Sequence, residues 1–135
     1  MPACTKIKTA VGTFSIELED EIQLAKAKHQ LDEYLAGERK SFDLPLDPPG
    51  TAFQKKVWRQ LKKIPFGKTM TYGQVAKAIG HPKAYRAVGG ACNANPLPIL
   101  IPCHRVVGSS GSLTGYALGI AMKLKLLKLE NINHS

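Results

Sequence analysis

The sequence has no apolar run approaching the ~20 residues that span a bilayer, which excludes a helical membrane anchor. Its opening residues show neither the long apolar core nor the cleavage site of a secretory signal. Three cysteines, Cys4, Cys92 and Cys103, cannot form a closed disulfide set and point to a reducing interior. The expectation is therefore a soluble intracellular protein, cytoplasmic or nuclear according to host. There is no internal repeat and no low-complexity segment. The paired Cys/His spacings of zinc modules are missing, so neither a metal site nor a cofactor is expected. Gly108-Ser109-Ser110-Gly111 lacks the Lys-Ser/Thr ending of a phosphate loop and does not fit G-x-S-x-G.

The 135 residues suffice for one domain with a small appendage, and 44% hydrophobic with 21% charged residues is an ordinary globular composition. Charge is divided unevenly. Residues 1–50 hold six Lys/Arg against nine Asp/Glu, whereas residues 51–135 hold thirteen against the single acid Glu130. Counterion release makes such a basic surface a natural polyanion binder. A solvated face that only aids solubility is the bland alternative, and charge by itself leaves both open.

Three prolines and a glycine in 44–50 mark a boundary between an N-terminal part, 1–49, and a C-terminal part, 50–135. Alternation over 12–19 suits a half-buried strand, and 22–35 reads as a helix with Ile22, Ala25, Leu31, Tyr34 and Leu35 inward. This part has too few large apolar groups to form a core alone and should pack on the rest, with Cys4 in a mobile terminus. Thr51 caps a helix whose stripe is Phe53, Val57, Trp58, Leu61 and Ile64. Thr71 and Gln74 form a capping box opening a helix over 72–79, with Gly80 at its end. A second helix over 84–93 completes a helix-turn-helix outline. It is thin: Ala84, Ala87, Gly89, Gly90 and Ala91 leave Arg86 as its only charge, which suits a minor groove or simply close helix packing. A short buried strand at 99–101, a Gly/Ser loop at 108–115 and a helix over 117–131 with Ile120, Leu124 and Leu127 inward close the chain. The fold class is α/β (α+β): a reduced strand–helix part packed on a mainly helical domain containing the helix-turn-helix.

Pro102-Cys103-His104-Arg105 stands between the apolar segment and the loop. A thiol of ordinary pKa is only a few per cent thiolate at neutral pH and needs a base to act as a nucleophile. His104 is at hand, reaching Cys103 through water or after a sharp turn. If a carboxylate within the basic part orients that histidine, it is Glu130. A structural cysteine beside a surface histidine is the plainer reading of a lone Cys-His pair. Cys92 reads as packing.

Together, Arg86-Ala87-Val88-Gly89-Gly90-Ala91, Asn95-Pro96 and the run P-I-L-I-P-C-H-R-V-V over 98–107 resemble the alkyltransferases that repair O6-alkylguanine in DNA, the methylated-DNA–protein-cysteine methyltransferases. The resemblance extends from about residue 30 to 130, through Leu31-Asp32-Glu33-Tyr34 and Thr51-Ala52-Phe53-Gln54. It implies direct-reversal repair by a single-turnover enzyme, with double-stranded DNA containing O6-alkylguanine as partner, no membrane, and a monomer. Cys103 then matches the irreversible alkyl acceptor, His104 the water-linked base, Glu130 its orienting group and Asn95 the brace of the intervening turn. Arg86 matches the finger that fills the stack of a flipped nucleotide, and Tyr72 the residue that promotes flipping and hydrogen-bonds the guanine. Ala84, Ala87 and Gly89 would meet the groove, while Tyr116, Ser109, Lys123 and Val106 would line the base pocket. A lesion-binding module without transfer and a cysteine hydrolase are the competing classes. Loss of transfer on removing Cys103 separates the first, and turnover on small esters the second.

Overall fold

The computed structural model describes residues 3–9, 12–18, 20–109, 116 and 118–130, without the side chains of 3–5, 8 and 9. Strands β1 (Ala3–Thr9) and β2 (Gly12–Leu18) form an antiparallel hairpin in which Ile7 pairs with Phe14. The first of these corrects the expectation of a mobile terminus, because Cys4 lies within a paired strand opposite Glu17. Alternation places Phe14 and Ile16 inward and Thr13, Ser15 and Glu17 outward.

Asp20 caps helix α1 (Glu21–Leu35) by accepting from the Gln23 amide. Its buried face is Leu24, Ala27, Gln30, Leu31 and Tyr34. Ile22, expected inward, is 77% exposed, and Ala25 is also exposed. The stripe is rotated because Tyr34 turns toward Glu130 of the C-terminal part, while Gln30 exchanges two hydrogen bonds with the Asp43 backbone later in its own part.

Helix α2 (Ala52–Leu61) starts from a full capping box between Thr51 and Gln54. It buries Val57, Trp58 and Leu61, and the Trp58 indole donates to the Ala91 carbonyl at 2.9 Å. The linker crosses that indole so closely that a Cβ on Gly50 would stand 2.7 Å from its ring, so glycine is required there. Strand β3 (Met70–Thr71) leads into α3 (Tyr72–Ala78), whose box joins Thr71 and Gln74 as the sequence predicts. The left-handed Gly80 (φ 83°) turns the chain toward α4 (Tyr85–Asn93).

The segment after α4 is not the expected strand. Residues 98–101 form a tight turn closed by a bridge between Pro98 and Ile101, because Ile99 takes φ 73°. A 3-10 turn (Cys103–Arg105) follows, then β4 (Val106–Val107), which pairs in parallel with β3. That pairing ties the start of the helix-turn-helix to the residues just after Cys103. The last helix, α5 (Ile120–Leu129), is shorter than expected and buries Met122, Lys123, Leu126 and Leu127. Ile120, expected inward, is 49% exposed and Leu124 only half-buried, because Met122, Lys123, Leu126 and Leu127 form the inner face of the helix. Residues 110–115, 117 and 131 of the expected loop and helix lie outside the described residues. One apolar cluster runs from Ile7, Phe14 and Ile16 through Tyr34, Trp58 and Val88 to Leu126, so the N-terminal part shares its core with the rest.

Candidate active site

Asn95 braces the turn that presents the thiol. Its side-chain oxygen accepts from the Leu97 amide at 2.9 Å, and its amide nitrogen donates to the Ile101 carbonyl at 2.8 Å. The same nitrogen lies 3.3 Å from the Cys103 Sγ. A β-branched residue at positive φ costs roughly 1–3 kcal/mol and persists only where surrounding contacts over-determine it. Ile99 is fully buried, and the two Asn95 bonds clamp the turn on either side of it.

Because Cys103–Arg105 is a 3-10 turn, adjacent side chains there do not alternate as they would on an extended chain. Cys103 is 4% exposed and His104 wholly buried, so the surface histidine of the plainer reading is not what the fold holds. His104 Nε2 lies 2.7 Å from Glu130 Oε2. Its Nδ1 is buried with no hydrogen-bond partner among the described residues. An ionised carboxylate only accepts, so Nε2 carries the hydrogen and Nδ1 presents a lone pair. Burial holds His104 below the ordinary histidine range, despite the opposing pull of Glu130, so the ring is neutral at neutral pH.

Glu130 collects donors from four residues, His104 and three others. Arg105 Nε reaches Oε1 at 2.8 Å and Nη2 reaches Oε2 at 3.0 Å, a bidentate pair. The Gly67 amide donates to Oε1 at 3.1 Å, and the Tyr34 hydroxyl donates to Oε2. Burial alone would raise the carboxyl, but donation from His104, Arg105 and Tyr34 outweighs it and holds the group at about 2. Arg105 also donates to the Ile64 carbonyl at 2.7 Å.

The thiol needs help of this kind. Burial pushes Cys103 up from the ordinary thiol range, and Asn95, Lys123 and Tyr116 pull in the other direction. Cys92, also buried, is pushed up to about 12, with neither the Asn95 nor the Tyr116 contact to offset burial. Lys123 is fully buried, donates to the Val106 carbonyl at 2.6 Å and stands 5.9 Å from the Tyr72 ring centre. Burial lowers its pKa while Cys103 and Cys92 oppose the shift.

On the outer side, Arg86 and Ala87 of α4 are exposed, and Ala84 and Gly89 are half-buried. A Cβ on Gly89 would stand 3.9 Å from the half-buried Tyr72 ring, so the helix lies directly against that ring. Lys123 and Tyr72 thereby form a continuous path from the thiol pocket to α4. Tyr116 is half-buried, Val106 buried and Ser109 exposed at the edge of the described residues.

The fold therefore brings Cys103, Asn95, His104, Glu130, Lys123 and Tyr116 together and leaves Arg86 and Ala87 on a separate outer face. Sequence reasoning missed Arg105, Tyr34 and the Gly67 amide. Arg105 stood inside the Pro-Cys-His-Arg run and Tyr34 inside Leu-Asp-Glu-Tyr, but nothing local assigns either to Glu130. Among the described residues no group of three or more His, Cys, Asp or Glu could hold a metal ion, and no helix is long and apolar enough to cross a membrane.

The family model for the 6-O-methylguanine DNA methyltransferase DNA binding domain matches residues 52–132, and that for the ribonuclease-like domain of the same proteins matches 3–48. A methylated-DNA–protein-cysteine methyltransferase of Methanosarcina acetivorans is 58% identical over 113 residues, covering 84% of this chain and 72% of that protein. The constitutive one of Bacillus subtilis is 52% identical over 120 residues, covering 87% and 72%. A crystal structure of Mycobacterium tuberculosis OGT in complex with DNA superposes with a TM-score of 0.85 at 41% identity, covering 94% of this chain and 91% of that one. With the sequence motifs, both domain models and the fold in agreement along nearly the whole chain, it belongs to the O6-methylguanine DNA methyltransferase family, the methylated-DNA–protein-cysteine methyltransferases.

Proposed function

We propose that the chain repairs double-stranded DNA containing O6-alkylguanine as a monomer, with Cys103 as the single-use acceptor. The observation that carries this reading is the buried histidine with one nitrogen tied to Glu130 and the other presenting a lone pair beside the Cys103 turn. The Cys103 proton passes through one water to His104 Nδ1, and the thiolate attacks the alkyl carbon in line. A sulfur–carbon bond forms, the carbon–oxygen bond breaks, and its electron pair stays on the guanine, which is protonated as it leaves. The thioether has no path back to thiol, so one protein repairs one base.

A protein thiolate cannot reach a base inside a duplex, so the nucleotide is rotated out at a cost of a few kcal/mol. Arg86, exposed on the thin α4, fills the vacated stack, and Ala84, Ala87 and Gly89 allow the helix backbone to approach the minor groove. Tyr72 promotes flipping and donates to the guanine, while Tyr116, Ser109, Lys123 and Val106 border the flipped base. We read 1–49 as the supporting part and 50–135 as the part that binds DNA and accepts the alkyl group, acting on DNA inside the cell.

Intact-protein mass spectrometry after mixing with excess duplex containing one O6-methylguanine tests this directly. One added methylene equivalent, about 14 Da, located on Cys103 is the expected result for covalent capture. Binding without a mass shift would make the chain a lesion-binding module instead.

A further inference from the structure

Among the described residues, Tyr34 is the one donor to Glu130 that comes from the N-terminal part, 96 residues away in sequence. The ring is wholly buried, with Phe42 at 5.5 Å and Phe66 at 6.1 Å between centres. Phenylalanine would suit that apolar cage better if packing were its only purpose, since a buried hydroxyl must find a partner. Nor is the hydroxyl needed to balance charge, because Arg105 already pairs with the carboxylate through two bonds.

The hydroxyl goes instead to Oε2, the same oxygen that holds His104 Nε2. Counting both oxygens, Glu130 receives Tyr34, His104, two Arg105 bonds and the Gly67 amide, five donors on a group with about four lone-pair sites. Donors that crowd one oxygen share its electron density, so each holds it less tightly.

We infer that Tyr34 is a positioning residue for alkyl transfer, its hydroxyl fixing the Glu130 oxygen that orients His104 and limiting how strongly that oxygen draws on the imidazole. This rests on the proposed role of His104 as the base. Among the described residues, the groups facing the imidazole and its carboxylate are Tyr34 from α1, Gly67 from the loop after α2, Arg105 from the 3-10 turn and Lys123 from α5. Of these, Tyr34 alone can be altered at one oxygen without removing a charge from the network. Without its hydroxyl, Oε2 pulls harder on the Nε2 hydrogen and stabilises imidazolium, so His104 takes up its proton at higher pH and is lost as a base there.

The test compares wild type with Tyr34→Phe and with 3-fluorotyrosine placed at position 34 by suppression, which makes the phenol a stronger donor. Two readouts are taken: the rate of Cys103 methylation across pH, and a nitrogen-15 NMR titration of His104 in the DNA-free protein. For Tyr34→Phe, the acid limb of the rate and the His104 titration both move to higher pH. Within that acid limb its rate falls to roughly a tenth of wild type at the same pH, the effect of one hydrogen bond to a charged group, while the high-pH plateau changes by less than about threefold. The fluorinated protein shifts both curves the opposite way. A Tyr34→Phe protein that loses rate in parallel at every pH, with His104 titrating as in wild type, would overturn the inference and leave Tyr34 a packing residue. If Tyr34→Phe does not fold, the fluorinated protein decides alone, and unshifted curves overturn the inference. Should wild-type Cys103 take up no methyl group, the proposed function fails, and the His104 titration still decides for or against the Tyr34 contact.

Discussion

The buried cluster behind Cys103 and the outer face of α4 solve opposite problems within a few residues of one another. Around Glu130 both carboxylate oxygens are held, and His104, Arg105 and Tyr34 are all sealed from solvent. On α4, Tyr85, Arg86, Ala87 and Gly90 are exposed, so the helix presents small residues beside one aromatic ring and one long cation. The first arrangement suits proton movement, which needs a base fixed in tautomer and direction before substrate arrives. The second suits a partner that supplies its own surface, because groups left unsatisfied in the free protein are available to DNA. In the proposed reading, rigidity belongs to the chemistry and bareness to the recognition. The β3–β4 pairing and the Lys123–Tyr72 contact join the two.

The sharpest division of that comparison is Cys103→Ala. Transfer should vanish completely, while affinity for duplex DNA stays within about twofold, as electrostatic phosphate contacts lie elsewhere. A mobility-shift titration alongside the mass measurement checks both halves, and a large loss of binding would erase the distinction between the faces.

Next in size is Glu130→Gln, which removes the charge at the centre of the network and leaves the Arg105 guanidinium buried without its counter-charge. Breaking a buried pair in this way costs about 3–5 kcal/mol of stability, and the alkylation rate should fall with DNA affinity little changed. Denaturant unfolding and stopped-flow alkylation separate the two effects. An unchanged rate would remove Glu130 from the relay.

Arg86→Ala probes the other face. If Arg86 fills the vacated stack as proposed, repair in duplex DNA should fall by roughly ten- to a hundredfold, since unstacking costs a few kcal/mol. Reaction with the free O6-alkylguanine base should be unaffected. Equal losses on both substrates would place Arg86 in the chemistry rather than at the groove.

The mildest test is pH. Glu130 titrates at about 2 in the folded protein and near ~4.3 unfolded, so its contribution is present above the unfolded value and lost as pH falls toward 2. His104 is held low by burial, so acid protonates the unfolded chain first and stability also drops below about pH 6.5. Melting temperature should therefore decline in two stages on acidification, and Glu130→Gln should flatten the lower one.

Much of the framework was legible locally. Thr51, Thr71 and Gln74 announced their caps because such bonds span only three residues. The segment 99–101 misled, because its apolar composition suits a strand while Asn95, four residues upstream of Ile99, clamps it as a turn. The inward face of α1 was misjudged for a related reason. Which side of a helix is buried depends on what lies opposite, and opposite α1 lie both the hairpin and the carboxylate of a residue 96 positions later.

Sequence alone determined the unequal charge, the thinness of the recognition helix and the identity of the single carboxylate available to a base in the C-terminal part, since these are matters of composition and short spacing. The motif determined the family. Only the tertiary structure decided that His104 is buried rather than exposed, that Glu130 is shared among His104, Arg105 and Tyr34, and that Cys103 and Cys92 sit in different surroundings. Burial and long-range hydrogen bonding set the proton affinities of those groups, and both arise only when distant segments close around them.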